Sequence, residues 1–173
     1  MMTDIRRAMS GELATALRVC KNMGSADTAE AEQLIAALGA IKRHVEDRAA
    51  SLGYSERCRQ AIAVCRGECC RWHFPKTINR IDFFIAVFGM TDTEKEAVVK
   101  QVQPVGGQAY QCPLLREDGC NFSFANRPVV CTSAFPCMAG SDYWQYKEGF
   151  REDIDAIRAA LDRLIDKSVA RGC

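Results

Sequence analysis

Apolar residues recur at three- and four-residue steps along most of the chain, the spacing that lines them up on one face of an α-helix. Ile5, Met9, Leu13, Leu17 and Cys20 form the first such stripe, so Cys20 reads as a small buried hydrophobe. After Asn22-Met-Gly-Ser, Asp27 with Glu30 three residues on reads as an N-cap pair. Leu34, Leu38, Ile41, Val45, Ala49 and Leu52 then make the stripe of a long helix over about 28–52, closed by Gly53. His44 on that helix is expected to face solvent. A third helix is predicted from about Ser55 to Cys65, with Cys58, Ile62 and Cys65 on one face. Ile81, Phe84, Ile85 and Phe88 carry a short helix that ends at Gly89. Thr91 with Glu94 resembles a capping box for the next helix, which Pro104 stops. Gly140-Ser-Asp opens a last helix with Ile154, Ile157, Leu161, Leu164 and Val169 as its stripe. No alternating pattern of useful strand length, repeat or low-complexity tract is present.

These elements predict a mainly α fold: a small helical domain with irregular cysteine-bearing loops that close over a metal site. Residues 1–56 form a helical scaffold, 57–140 a cysteine-cluster region, and 141–173 a C-terminal helix packing on the same core. At 173 residues a single domain is the expectation. Lys+Arg 23 against Asp+Glu 22 leaves a formal net charge of +1, so no polyanion-binding footprint and no nucleic-acid partner are indicated. Mean hydropathy is −0.15, and no run approaches the ~18 uncharged apolar residues of a membrane span, so no membrane partner is expected.

The ten cysteines change the picture, because eight of them (Cys58, Cys65, Cys69, Cys70, Cys112, Cys120, Cys131, Cys137) lie between residues 58 and 137. Glu12 and Arg18 interrupt any apolar stretch of ~7–15 residues after Arg6 and Arg7, so no export signal is read and a cytoplasmic setting is expected. In a reducing compartment, clustered thiols point to metal ligands or catalytic groups rather than to staples. Cys65-Arg-Gly-Glu-Cys69-Cys70 places three thiols around a Gly. Cys112, Cys120, Cys131 and Cys137 stand beside Pro and Gly in loop-like sequence. Two such loops on either side of a helical insert can close a site contributed by both. Cys58 and Cys65 are separated by about 10 Å of helical rise, too far to share one tetrahedral zinc. Cys58 is therefore a core residue, part of a second site, or a ligand only if the helix breaks.

Four thiolates on Zn²⁺ leave excess negative charge that Arg66, Arg71, Lys76 or Arg127 could offset, with Arg127 the favoured neighbour. His73, flanked by Trp72 and Phe74, is a potential fourth ligand, but a hydrogen-bonded packing role suits it better. Cys20 and Cys173 stand apart from the cluster. The loops at 65–76 and 110–140 have little helical pattern, so something other than an apolar stripe must order them.

Cys65…Cys69-Cys70, a helical spacer, then Cys112-Pro-Leu-Leu, Gly119-Cys120, Arg127-Pro128-Val-Val-Cys131 and Pro136-Cys137 resemble the YkgJ-type cysteine-cluster family, also called the CxxCxxCC family. The resemblance spans about residues 60–140. It departs from the family pattern in the opening C-x-x-x-C-C, one thiol short, and in Thr132 where Arg often stands. It implies a zinc- or iron-chelating domain, with Cys65, Cys69, Cys70, Cys112, Cys120, Cys131 and Cys137 as ligands. The expected function is therefore metal binding, with zinc or an iron–sulfur cluster as cofactor and the metal ion or cluster as partner. The alternatives are a ferredoxin-like electron carrier or an accessory enzyme with a methylase-like cluster. A metal-trafficking or thiol-redox protein would instead need exposed, exchangeable cysteines. No phosphate loop, His-Glu-x-x-His or nucleophile with an identifiable base accompanies the cysteines, so no separate substrate motif supports an enzymatic role, and whether the chain is an enzyme stays open.

Overall fold

The predicted stripes become helices in a computed structural model, which describes residues 5–103, 111–116, 119–132 and 135–171. The helices are α1 (Ile5–Asn22), α2 (Ser25–Ser51), α3 (Tyr54–Cys65), α4 (Arg80–Phe88), α5 (Asp92–Val102), α6 (Ser141–Glu148) and α7 (Arg151–Arg171). A two-residue antiparallel ladder joins β1 (Leu115–Arg116) to β2 (Gly119–Cys120), with Leu115 opposite Cys120. The fold is mainly α. Pro104, expected to stop α5, lies outside the described residues.

Helix α4 explains the layout of the core. Phe83, Phe84, Ile85, Ala86 and Val87 are all buried, and a helix apolar on every side has to sit inside. It packs most extensively against α1, through Met9 and Leu13, and also against Leu161 and Ile165 of α7. Asn79 and Asp82 close a reciprocal capping box at its start. Arg80 anchors it to Asp162 and Asp166 of α7 at 2.8 Å each. The Thr91–Glu94 box at the start of α5 forms as its spacing predicts.

Two local expectations are corrected. Helix α2 starts at Ser25, so Asp27 lies inside its first turn rather than capping it. Its buried carboxylate instead clasps the end of α7, 2.6 Å from Lys167 Nζ and 2.5 Å from Arg171. Both cations hold its pKa below the ordinary carboxylate value, with the Lys167 hydrogen bond the largest cause. The C-terminal stripe is two helices, broken at Gly149-Phe150, because Phe150 turns into a second apolar cluster around Val45, Ala49 and Tyr143. Tyr54 meets Tyr143 edge-on at 5.4 Å, and Phe135 lies 6.0 Å from the same ring. This cluster ties the segment after Phe135 to α2, α3 and α6.

Candidate functional site

Helix α3 ends at Cys65 because the next two residues, Arg66 (φ 52°) and Gly67 (φ 66°), are left-handed. Glycine takes that conformation without the Cβ clash that burdens Arg66. The chain re-enters helical geometry as a π turn over Cys69–His73, closed by the Phe74 N–H donating to the Cys69 carbonyl. A 3₁₀ turn, Phe74–Thr77, follows. Wide single turns of the π type are frequent at functional sites. Here the turn holds Cys69 Sγ and Cys70 Sγ 4.0 Å apart.

The two thiols are chemically unequal. The hydrogen bond from Cys70 pulls Cys69 down to about 6, helped by backbone donors and the charge of His73 and opposed by burial. Cys70 is pushed up, first because it supplies that bond, then by burial and by the charges of Cys69, Cys131 and Cys120. Cys58 is raised by burial and by the charges of Cys69, Cys137 and Cys65. Cys65 and Cys137 are exposed.

The second cysteine tract is sewn to the first through the backbone. The Cys112 N–H donates to the Arg71 carbonyl at 3.1 Å, and the Asn121 N–H to the Leu114 carbonyl at 2.8 Å. Cys131 closes a 3₁₀ turn over Val129–Cys131, which Thr132 Oγ1 secures on the Pro128 carbonyl at 3.0 Å. Burial pushes Cys112 up to about 11. Cys131 is raised by burial and by Cys112, Cys120 and Asp82, while the nearby Arg127 charge works the other way. Arg127, the favoured neighbour of the cluster, donates its Nε–H to the Phe122 carbonyl at 3.1 Å.

The fold joins the two cysteine tracts at the Cys112–Arg71 backbone hydrogen bond, yet the expected metal centre does not form among the described residues. Among the described residues, no three His, Cys, Asp or Glu side chains come together in a group that could hold a metal ion. The charges of Cys65, Cys69 and Cys137 act on Cys58, and those of Cys69, Cys120 and Cys131 act on Cys70. Cys69 and Cys70 approach each other, but among the described residues no third ligand joins them, and Cys112, Cys120 and Cys131 pack against the apolar core. The zinc or iron–sulfur chelator, the ferredoxin-like carrier and the methylase-like accessory enzyme are all corrected on this ground. His73 is exposed rather than packed, and His44 is exposed, as expected, with its ring parallel to Phe150. Cys20 packs against the core as a hydrophobe, and burial pushes it up to about 11. Cys173 lies outside the described residues.

The turn around residues 124–127 is held by a residue absent from the candidates named above. Lys42 of α2, 3% exposed, donates to the carbonyls of Phe124, Ala125 and Arg127 at 3.0, 2.8 and 2.7 Å. Its position between Leu38 and Val45 on the buried stripe is the signal that could have revealed it. The chain matches no protein-family model, no curated protein and no solved structure.

Proposed function

We propose that this is a thiol-redox protein whose reactive centre is the adjacent pair Cys69 and Cys70. The 4.0 Å Sγ–Sγ separation in a half-buried π turn carries the reading. The nine described cysteines are all free, which suits a reducing, cytoplasmic setting. Cys69 is the nucleophile, because its thiolate is stabilised by the Cys70 S–H and by backbone donors. Its thiolate attacks one sulfur of a disulfide RS–SR′. A Cys69–S–SR bond forms, the S–S bond breaks, and R′S⁻ leaves with the electron pair. Cys70, once deprotonated, then attacks Cys69 Sγ and expels RS⁻. The pair loses two electrons, and the substrate becomes two thiols.

Adjacent Cα atoms stand about 3.8 Å apart, whereas ordinary disulfides span about 4.4–6.8 Å. A Cys69–Cys70 disulfide would therefore be strained and readily reduced, the behaviour of a switch rather than of a staple. The test is iodoacetamide labelling of the reduced full chain at pH 6.5, with the modified positions mapped by mass spectrometry. Cys69 should be alkylated first, and Cys69→Ser should abolish the fast phase. Labelling of Cys69 no faster than of exposed Cys65 would overturn the proposal.

A further inference from the structure

Two backbone bonds hold the turn that carries the thiol pair. The Arg71 N–H donates to the Gly67 carbonyl at 2.8 Å, and the Phe74 N–H donates to the Cys69 carbonyl. That carbonyl belongs to the peptide group joining Cys69 to Cys70. The next residue, Arg71, supplies the carbonyl that the Cys112 N–H reaches at 3.1 Å. The closure of the π turn and the link between the two cysteine tracts therefore both rest on the backbone of Cys69–Arg71.

Joining the two sulfurs disturbs that backbone. They must close from 4.0 Å to the bonded ~2.05 Å. The disulfide completes a small ring that contains the Cys69–Cys70 peptide group. That peptide stays planar, and the torsion about an S–S bond stays near a right angle. Much of the adjustment therefore falls on ψ of Cys69 and φ of Cys70, the two ring torsions that set the tilt of the Cys69 carbonyl. As it tilts, the Phe74 N–H loses its acceptor.

Little on either side resists the movement. Upstream, Arg66 (φ 52°) and Gly67 (φ 66°) connect the turn to α3, and a left-handed Arg is relieved by rotation rather than strained by it. Arg71 Nε is buried with no hydrogen-bond partner among the described residues, so the turn loses no bond there when it shifts. The second tract keeps bonds of its own: the Asn121 N–H donates to the Leu114 carbonyl at 2.8 Å and the Cys131 N–H to the Pro128 carbonyl at 2.9 Å.

We infer that closing a Cys69–Cys70 disulfide unlatches the second cysteine tract, the π turn opening at Phe74 and the Arg71 carbonyl releasing the Cys112 N–H. Resting on the thiol-redox reading, this gives that centre a regulatory output. The oxidant is a disulfide RS–SR′. The Cys69–Cys70 bond forms, the RS–SR′ bond breaks, two electrons pass to its sulfurs, and the protons of the pair end on RSH and R′SH.

The experiment treats the reduced full chain with dithiodipyridine, an aromatic disulfide, and locates the bond formed by mass spectrometry. Amide exchange is followed residue by residue by NMR before and after. A chain carrying Cys69→Ser and Cys70→Ser, treated alike, accounts for reaction at the other cysteines. With the Cys69–Cys70 disulfide in place, the Phe74 and Cys112 amides should exchange about tenfold faster or more, and dithiothreitol should restore the slow rates. Asn121 and Cys131 should keep their protection, and the double variant should show no change. A mapped Cys69–Cys70 disulfide with Phe74 and Cys112 still protected would overturn the unlatching and leave the thiol centre standing. The same acceleration in the double variant, or equal acceleration of Cys112 and Asn121, would overturn it too, since the tract would then have loosened for another reason. If the reagent produces no Cys69–Cys70 disulfide, the thiol-redox reading itself falls, and the switch with it.

Discussion

Two neighbouring thiols with the same side chain acquire opposite chemistry because their sulfurs, 4.0 Å apart, share a hydrogen bond in which either could donate, while backbone donors and the charge of His73 favour the thiolate at Cys69. With its pKa lowered, Cys69 holds more thiolate in neutral solution than an ordinary cysteine near ~8.5. The sign of the pH dependence follows. Reactivity is present above about pH 6 and lost as protons return to Cys69 below it. Replacing Cys70 with Ala removes the main donor, so the Cys69 pKa should climb toward the ordinary thiol value. At pH 6.5 its iodoacetamide rate should then fall by about tenfold or more. A pH–rate profile that does not move in Cys70→Ala would show that the backbone and His73 alone hold the thiolate. At this scale the sequence was legible where a residue's role is its burial. Cys20 sits on an apolar stripe and behaves as a hydrophobe. It was silent on Cys69 and Cys70, because adjacency in the chain does not tell which of two sulfurs donates.

Elements with a periodic or capped sequence were readable, and those held by a single distant contact were not. The Thr91–Glu94 box is the standard S/T-x-x-E form, and the helix starts where it predicts. Asn79 with Asp82 does the same work in a less recognisable form. The loop over 121–132 has no periodicity because Lys42 holds it from α2 through the carbonyls of Phe124, Ala125 and Arg127, the first of which also accepts from the Arg127 N–H at 3.4 Å. Lys42→Met should fill similar space but remove the ammonium donor from these part-buried carbonyls. At ~1–3 kcal/mol for each unsatisfied group, partly offset by water entry, we expect a loss of about 3 kcal/mol in urea unfolding. A loss below about 1 kcal/mol would mean that the loop is ordered by its own turns. The wild-type pH dependence carries a second signature. Burial pushes Lys42 down to about 8, with the charge of Arg127 adding to it and those of Asp82 and Cys131 opposing. Between pH 8 and the unfolded value of ~10.4, the unfolded chain binds a proton that the folded chain has released. Stability from this group therefore rises with pH across that window and is flat below it. Lys42→Met should lack the rise.

At the scale of the whole molecule, cysteine spacing recorded which segments meet but not how closely their sulfurs approach. Cys112 does reach the first tract, through the Arg71 carbonyl, yet a backbone contact at 3.1 Å sets no sulfur geometry. The expectation that a metal orders the middle of the chain gives way to two clusters of different size. The larger is centred on α4 between α1 and α7, whereas the smaller, around Tyr143, Val45 and Ala49, fastens α3 and the segment after Phe135. These clusters should open separately. Phe84 is fully buried in the larger one, so Phe84→Ala should cost about 3–5 kcal/mol and lower amide-exchange protection everywhere, since the thiol loops cannot outlast the scaffold beneath them. Tyr143 is equally buried in the smaller one, and Tyr143→Ala should accelerate exchange in α3, the turn at Cys69–His73 and the segment from Phe135 to Phe150. Protection in α1, α4 and α7 should hold. Native-state hydrogen exchange in low guanidinium separates these outcomes. If Tyr143→Ala lowers protection in α1 and α4 as much as in α3, the chain has one cooperative core, and the thiol loops cannot open while the helical scaffold stays closed.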